Sequence, residues 1–242
     1  MSPLDSGLIT VEDLFAELRE QILSGELPEG AVLSQVKLAE RFGVNRTPLR
    51  EALRMLQREG LIDAQYNRRV RVSRLSTADL EDLYAQRIVT EALGIRLTVP
   101  TLDSGDIAEL RGLLAEMNRL ASAESFGAWE EVHHRFHAQL IAGAGAGLVR
   151  RAEQLTAYAR RYRFALAGMG VHADAGFAQG AIEHEGLVDA CEAGDVERAG
   201  HVMARHLART ALTLISVREP THDPATVRGA VRMVVGDAHG GS

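Results

Sequence analysis

The sequence holds a single cysteine, Cys191, among 242 residues. One thiol can form neither an intramolecular disulfide nor a thiolate metal cluster, so Cys191 reads as a small buried hydrophobe. No apolar run approaches the roughly 20 residues that span a bilayer. The opening stretch "MSPLDSGLITVEDLF" lacks the basic start and apolar core of a signal peptide. The expected location is therefore the cytoplasm, with no membrane partner. Internal repeats and low-complexity tracts are absent, as are HExxH, GxSxG and phosphate-cradling glycine loops. After Ser76, strand signals are absent too.

What is present is globular composition, with 46% hydrophobic and 25% charged residues, on a length that suits one large or two ordinary domains. Net charge is −6, but it is unevenly spread. Between Val36 and Leu75 stand ten basic residues against four acidic ones, whereas the stretches on either side are acidic. A short basic region in an acidic protein is the electrostatic footprint of a local polyanion contact.

That basic region has recognisable punctuation. "TVEDLFAELREQILSG" offers an N-cap at Thr10, apolar residues at helical spacing and a stop at Gly25. "QVKLAERFG" predicts a short second helix ended by Gly43, and "RTPLREALRMLQREG" a third, with Pro48 in its first turn and Gly60 at its end. "LIDAQYNRRVRVSRL" alternates β-formers around a turn at Tyr66 to Arg68 and predicts a hairpin. Two short helices around a tight turn, the second arginine-rich at its start, suit entry into a DNA major groove, with the hairpin as a wing. Arg46 and Arg50 lie one turn apart on one face, Asn45 and Thr47 flank them, and Arg54 continues the row. Lys37, with Arg68 and Arg69 at the wing tip, completes the candidate DNA contacts. The competing reading is a solvated helix whose arginines pair with Glu51 and Glu59.

Beyond Ser76 the pattern predicts helices near 76–98, 104–122, 124–143, 147–167, 176–193 and 195–217, the first opening on a Ser/Thr cap followed by an acid. The expected fold is mainly α: a winged helix-turn-helix over 1–75, then an all-helical antiparallel bundle over 76–220. Residues 221–242 are expected to be a flexible tail.

"LSQVKLAERFGVNRTPLREALRMLQREGLIDAQ" resembles the winged helix of the GntR family of bacterial transcription regulators, over most of residues 10 to 74. The resemblance implies operator contacts by Arg46 and Arg50, supported by Asn45 and Thr47. The chain departs from the family in having Arg69 where a wing-tip glycine is usual and Asn45 where many members have serine. The helical part, in "DLYAQRIVTEAL", "HHRFHAQL", "IEHEGLVDACEAGD" and "VMARHLART", resembles the FCD effector domain of that family's FadR branch.

"VHHRFH" places His133 and His137 about 400° apart in helical rotation, one above the other on a single face. His184 and His206 sit among apolar neighbours on amphipathic helices, as inward-facing imidazoles would. His134, about 100° away, is expected at the surface. The resemblance implies that His133, His137, His184 and His206 hold one divalent ion, His133 standing where the family typically has aspartate. Whether His133 ligates is open. Four neutral imidazoles favour Zn, with Ni, Co or Cu(II) as alternatives, over Mg or Ca.

A small carboxylate effector would fill the ion's open positions and pair with Arg87, assisted by Tyr84, Arg161 or Arg163. The competing reading of Arg87 is an ion pair with Glu91. The functional expectation is a non-enzymatic, ligand-responsive regulator that binds a pseudo-palindromic double-stranded DNA operator as a homodimer. The alternatives are a metal-free FadR-like regulator with a different effector, and a metalloenzyme using the histidine cluster.

Overall fold

The computed structural model describes residues 9–65, 69–121, 126–167 and 174–236. The chain divides into two compact units, one up to Leu75 and one from Ser76.

The first unit is built on three helices: α1 (Val11–Leu23), α2 (Gln35–Phe42) and α3 (Arg46–Arg58). Thr10 caps α1 in a reciprocal capping box with Asp13, and Ser34 caps α2 through the Lys37 amide. Gly43 ends α2 in the left-handed region (φ 64°), which only a residue without Cβ adopts freely, and this lets α3 begin three residues later. Leu14, Leu18 and Ile22 of α1 meet Leu49, Leu53 and Leu56 of α3 in the core, each set at the three- and four-residue spacing that lines one helix face.

Strands β1 (Val32–Leu33), β2 (Ile62–Gln65) and β3 (Arg69–Val72) form an antiparallel sheet in the order β1-β3-β2. The expected hairpin is β2–β3, and its turn, Tyr66 to Arg68, lies outside the described residues. β1 falls in a stretch that reads as a turn, because two residues are too few to show alternation.

The second unit contains α4 (Thr77–Thr98), α5 (Ser104–Ala121), α6 (Phe126–Leu140), α7 (Ala146–Ala167), α8 (Asp174–Glu192), α9 (Val196–Arg218) and α10 (Ala225–Val235). Helix α4 is its axis and packs against α7, α9 and α10; α5 packs against α6 and α8. Gly94 permits part of this closeness, since a Cβ there would come within 2.8 Å of the Ile141 side chain. Cys191 is buried, and burial pushes its thiol up to about 11, in keeping with an inert hydrophobe.

Residues 221–242 do not form a tail throughout. Helix α10 occupies 225–235, burying Val227 and Ala230 against the unit. Glu81, a buried carboxylate on α4, accepts from the amides of Thr226 (2.5 Å) and Val227 (3.3 Å) and from His222 Nε2 (2.6 Å). At the other end Arg96 of α4 donates to the Val234 carbonyl at 3.1 Å. The glycines beyond Val235, from which the tail was expected, say nothing about this partly apolar segment before them.

Candidate metal and effector site

Three helices bring the four histidines together: His133 and His137 from α6, His184 from α8 and His206 from α9. All four are buried. One ring nitrogen from each lies within 4.8 Å of the other three. Two nitrogens in trans positions about 2.1 Å from one ion are about 4.2 Å apart, so the cluster is close to the size of a coordination shell. Adjacent rings approach to 4.6 Å between centroids for His133 and His137, and again for His184 and His206.

The polarity of the cluster is set from outside it. His137 Nδ1 donates to Glu91 Oε2 of α4 at 3.1 Å, and His206 Nδ1 donates to Glu183 Oε2 of α8 at 2.8 Å. A carboxylate accepts only, so the proton on each ring sits at Nδ1 and Nε2 presents its lone pair. His137 Nε2, His184 Nε2 and His133 Nδ1 are buried without a hydrogen-bond partner. Buried polar atoms left unpaired are costly, so the Nε2 atoms of His137 and His184 call for an occupant, while His133 Nδ1 lies 3.8 Å from Glu130 Oε2.

The electrostatics favour neutral rings. Burial, with the charges of neighbouring histidines and Arg163, drives His133 well below the ordinary imidazole value. Burial and the neighbouring His206 and His137 do the same at His184. At His137 burial outweighs the help of Glu91 and leaves the ring at about 4. Burial would raise Glu91 and Glu183, but Arg87 and His137 hold the first at about 2, and His206 and Arg209 the second at about 2. Neutral imidazoles with fixed tautomers are metal-ready ligands.

Beside the cluster lies a cationic layer. Arg87 is 1% exposed; its Nε donates to Glu91 Oε1 at 2.7 Å, its guanidinium lies 5.0 Å from the Tyr84 ring centre, and its Nη2 has no partner. Arg163 of α7 forms a buried two-point pair with Glu130 of α6, and its Nη1 lies 3.5 Å from the Tyr84 hydroxyl. Arg87, Tyr84 and Arg163 are thus brought together, and the competing reading of Arg87, an ion pair with Glu91, is the one observed. Arg161 is buried on the same helix as Arg163, about 200° round from it.

His134 is half-buried rather than fully exposed, beside a small pocket lined by Glu91, His137 and Thr156. Trp129 stacks on His133, 4.5 Å between ring centres. Sequence reasoning missed Glu130 and the outer role of Glu183. Glu183 is next to His184 on α8, so it projects about 100° away from it and meets His206 on the next helix. Its only signal was adjacency to a histidine.

In the first unit the candidate DNA contacts Lys37, Asn45, Arg46, Thr47, Arg50 and Arg54 are all exposed on α2, α3 and the turn between them. Asn45 is the N-cap of α3 but leaves its side chain uncommitted to capping. Glu51 pairs with Arg54 at 2.5 Å and Glu59 with Arg19 at 2.9 Å, so neither takes up Arg46 or Arg50. Arg68 lies outside the described residues, and of Arg69 only the backbone is described.

Comparison with known proteins places both units in families. Residues 10–72 match the model of the bacterial regulatory proteins of the gntR family, and residues 82–209 match the FCD domain. The chain belongs to the GntR family. Its second unit is an FCD domain, consistent with the FadR branch, and the protein is a ligand-responsive DNA-binding regulator of the GntR/FCD type rather than an enzyme. It is 32% identical over 204 residues, 84% of each chain, to the "Uncharacterized HTH-type transcriptional regulator in unstable DNA locus" of Streptomyces ambofaciens. It is 28% identical to the HTH-type transcriptional repressor GlaR of Escherichia coli, over 82% of this chain and 93% of that one. In fold it is similar to E. coli McbR/YncC, with a TM-score of 0.75 at 22% identity over 86% of this chain and 98% of that chain. Among the described residues no helix of this GntR regulator is long and apolar enough to cross a membrane.

Proposed function

We propose that this GntR regulator binds a pseudo-palindromic operator as a homodimer and senses a small organic acid at a divalent metal held by His133, His137, His184 and His206. The observation that carries the reading is the set of four buried imidazoles with three unpartnered ring nitrogens. Zinc suits an all-nitrogen site, with Ni, Co and Cu(II) next in line. Bound there, the ion would act as a Lewis acid that receives a carboxylate oxygen. Arg87, Tyr84 and Arg163 supply cationic and hydroxyl groups for the rest of the acid, with Arg161 behind them. His133 counts as a ligand in this reading, so the bound ion keeps both its positive charges within the shell and attracts anions more strongly than a site with an inner carboxylate.

A ligand changes DNA affinity only by binding one conformation of the dimer better than another. Dimerisation is expected because one winged helix reads too few base pairs for an operator. The test is the elemental content of freshly purified, untagged protein. Near one transition metal per chain in the parent, lost in both His137→Ala and His184→Ala, is the expected result. No metal after incubation with zinc or nickel overturns the site.

A further inference from the structure

We propose that Glu91 couples the two halves of this site, holding His137 ready for metal while standing in for the effector carboxylate on Arg87. The inference rests on the metal-site reading above and adds to it the residue through which acid and ion influence one another.

Glu91 is fully buried on α4 and gathers donors from three helices. Its Oε2 accepts from His137 Nδ1 at 3.1 Å. Its Oε1 accepts from Arg87 Nε at 2.7 Å and from the Thr156 hydroxyl at 3.4 Å. A guanidinium binds a carboxylate most strongly through two parallel N–H groups. Glu91 uses Nε of Arg87, while Nη2 is buried without a partner. The Arg87 fork is therefore half engaged, and an incoming carboxylate that took both teeth would displace Glu91 Oε1.

Displacement has a direction. Released from Arg87, the carboxylate places more of its charge on His137, and a more strongly held Nδ1 proton makes Nε2 a better donor to metal. Acid and metal then reinforce each other, each raising the affinity of the other by the same factor. Glu91→Gln keeps the shape and removes the charge, so its two effects carry opposite signs. His137 loses its charged acceptor, which weakens metal binding by about 10–100-fold. Arg87 loses its counter-charge, so a simple carboxylate binds the metal-free protein more tightly. A merely structural role for Glu91 would weaken both.

The experiment uses the full-length protein in three forms: parent, Glu91→Gln, and Arg87→Met with Glu91→Gln. The double variant leaves no unpaired charge at this point in the core. Zinc affinity is read by competition with a chelator, and acetate binding to metal-free protein by the shift in Tm against chloride at equal ionic strength. In Glu91→Gln the expected result is zinc binding weaker by about 10–100-fold and an acetate response at several-fold lower concentration. In the double variant zinc stays weak and the acetate gain disappears. If Glu91→Gln does not fold, the double variant decides, and parent-like zinc affinity there overturns the coupling. Equal zinc affinity, or weaker acetate binding, in a folded Glu91→Gln overturns it as well. A parent protein that takes up no zinc overturns the metal site itself; the acetate arm then tests the stand-in role alone, and an unchanged acetate response overturns that.

Discussion

Each of the four clustered imidazoles is kept neutral by a dry surrounding, and a neutral histidine in the folded state has a consequence for pH. The unfolded chain takes up a proton on each near pH 6.5, whereas the folded chain resists it: His133 and His184 lie well below that value and His137 lies at about 4. Their contribution to stability is therefore complete above about pH 6.5 and is lost as the pH falls, by about 1.4 kcal/mol per pH unit for each histidine that stays unprotonated in the fold. Glu91 and Glu183, held at about 2, act the same way lower down, their contribution fading below the ordinary carboxylate value of 4.5. Metal-free protein should accordingly lose Tm steadily between pH 7 and pH 5 in a thermal-unfolding series; a flat profile over that interval would contradict neutral buried rings. At this scale the histidines were legible in the sequence, because two at one-turn spacing and two on apolar faces are local patterns. Their carboxylate partners were not. Glu91 meets His137 across 46 positions of chain and Glu130 meets Arg163 across 33, and no local periodicity encodes such pairs.

Most helices of the second unit begin and end within a few residues of where capping residues and apolar spacing put them. Ser76 accepts from the Asp79 amide at 2.9 Å at the start of α4, as its sequence pattern predicts. The departure is α10, which docks through buried Val227 and Ala230 and through one acid elsewhere, Glu81. Burial would raise Glu81, but His222 and the two α10 amides hold it below the ordinary carboxylate value. Glu81→Ala removes the acceptor from two amides and an imidazole at once. Only the Val227 amide among these donors is buried, and leaving a buried donor unpaired costs about 1–3 kcal/mol, so the variant should unfold at lower denaturant with an unchanged slope. Amide exchange should quicken first around Thr226 and Val227 if α10 opens as a local unit. Unchanged protection there would show that apolar contact at Val227 and Ala230 suffices.

Across the whole molecule, charge and chemistry are divided between the two units. The basic face around Arg46 and Arg50 belongs to the first, and the buried histidines and arginines to the second. This division was visible as a change in composition at Leu75, where the basic run stops and strand signals end. The strand β1 was hidden for the opposite reason, since its identity depends on pairing with β3 rather than on its own two residues. For DNA binding the division gives separable expectations. Arg50→Ala should cost about 1–3 kcal/mol on the protein's own upstream DNA and relax sequence preference, if it reads a base. Lys37→Ala should weaken binding evenly across sequences and reduce the slope of log K against log salt by about one. Fluorescence anisotropy over a salt series distinguishes the two, and neither change should alter metal content.

The stacking of Trp129 on His133 has a practical consequence. The chain contains one tryptophan, so its whole indole emission comes from a ring in face-to-face contact with a member of the histidine cluster. An unlabelled solution of this regulator is thus its own dosimeter: any cation or acid that reorients or charges the His133 ring alters the colour or brightness of the emitted light. A library of candidate effectors can be ranked by that light alone, with no operator DNA in the tube.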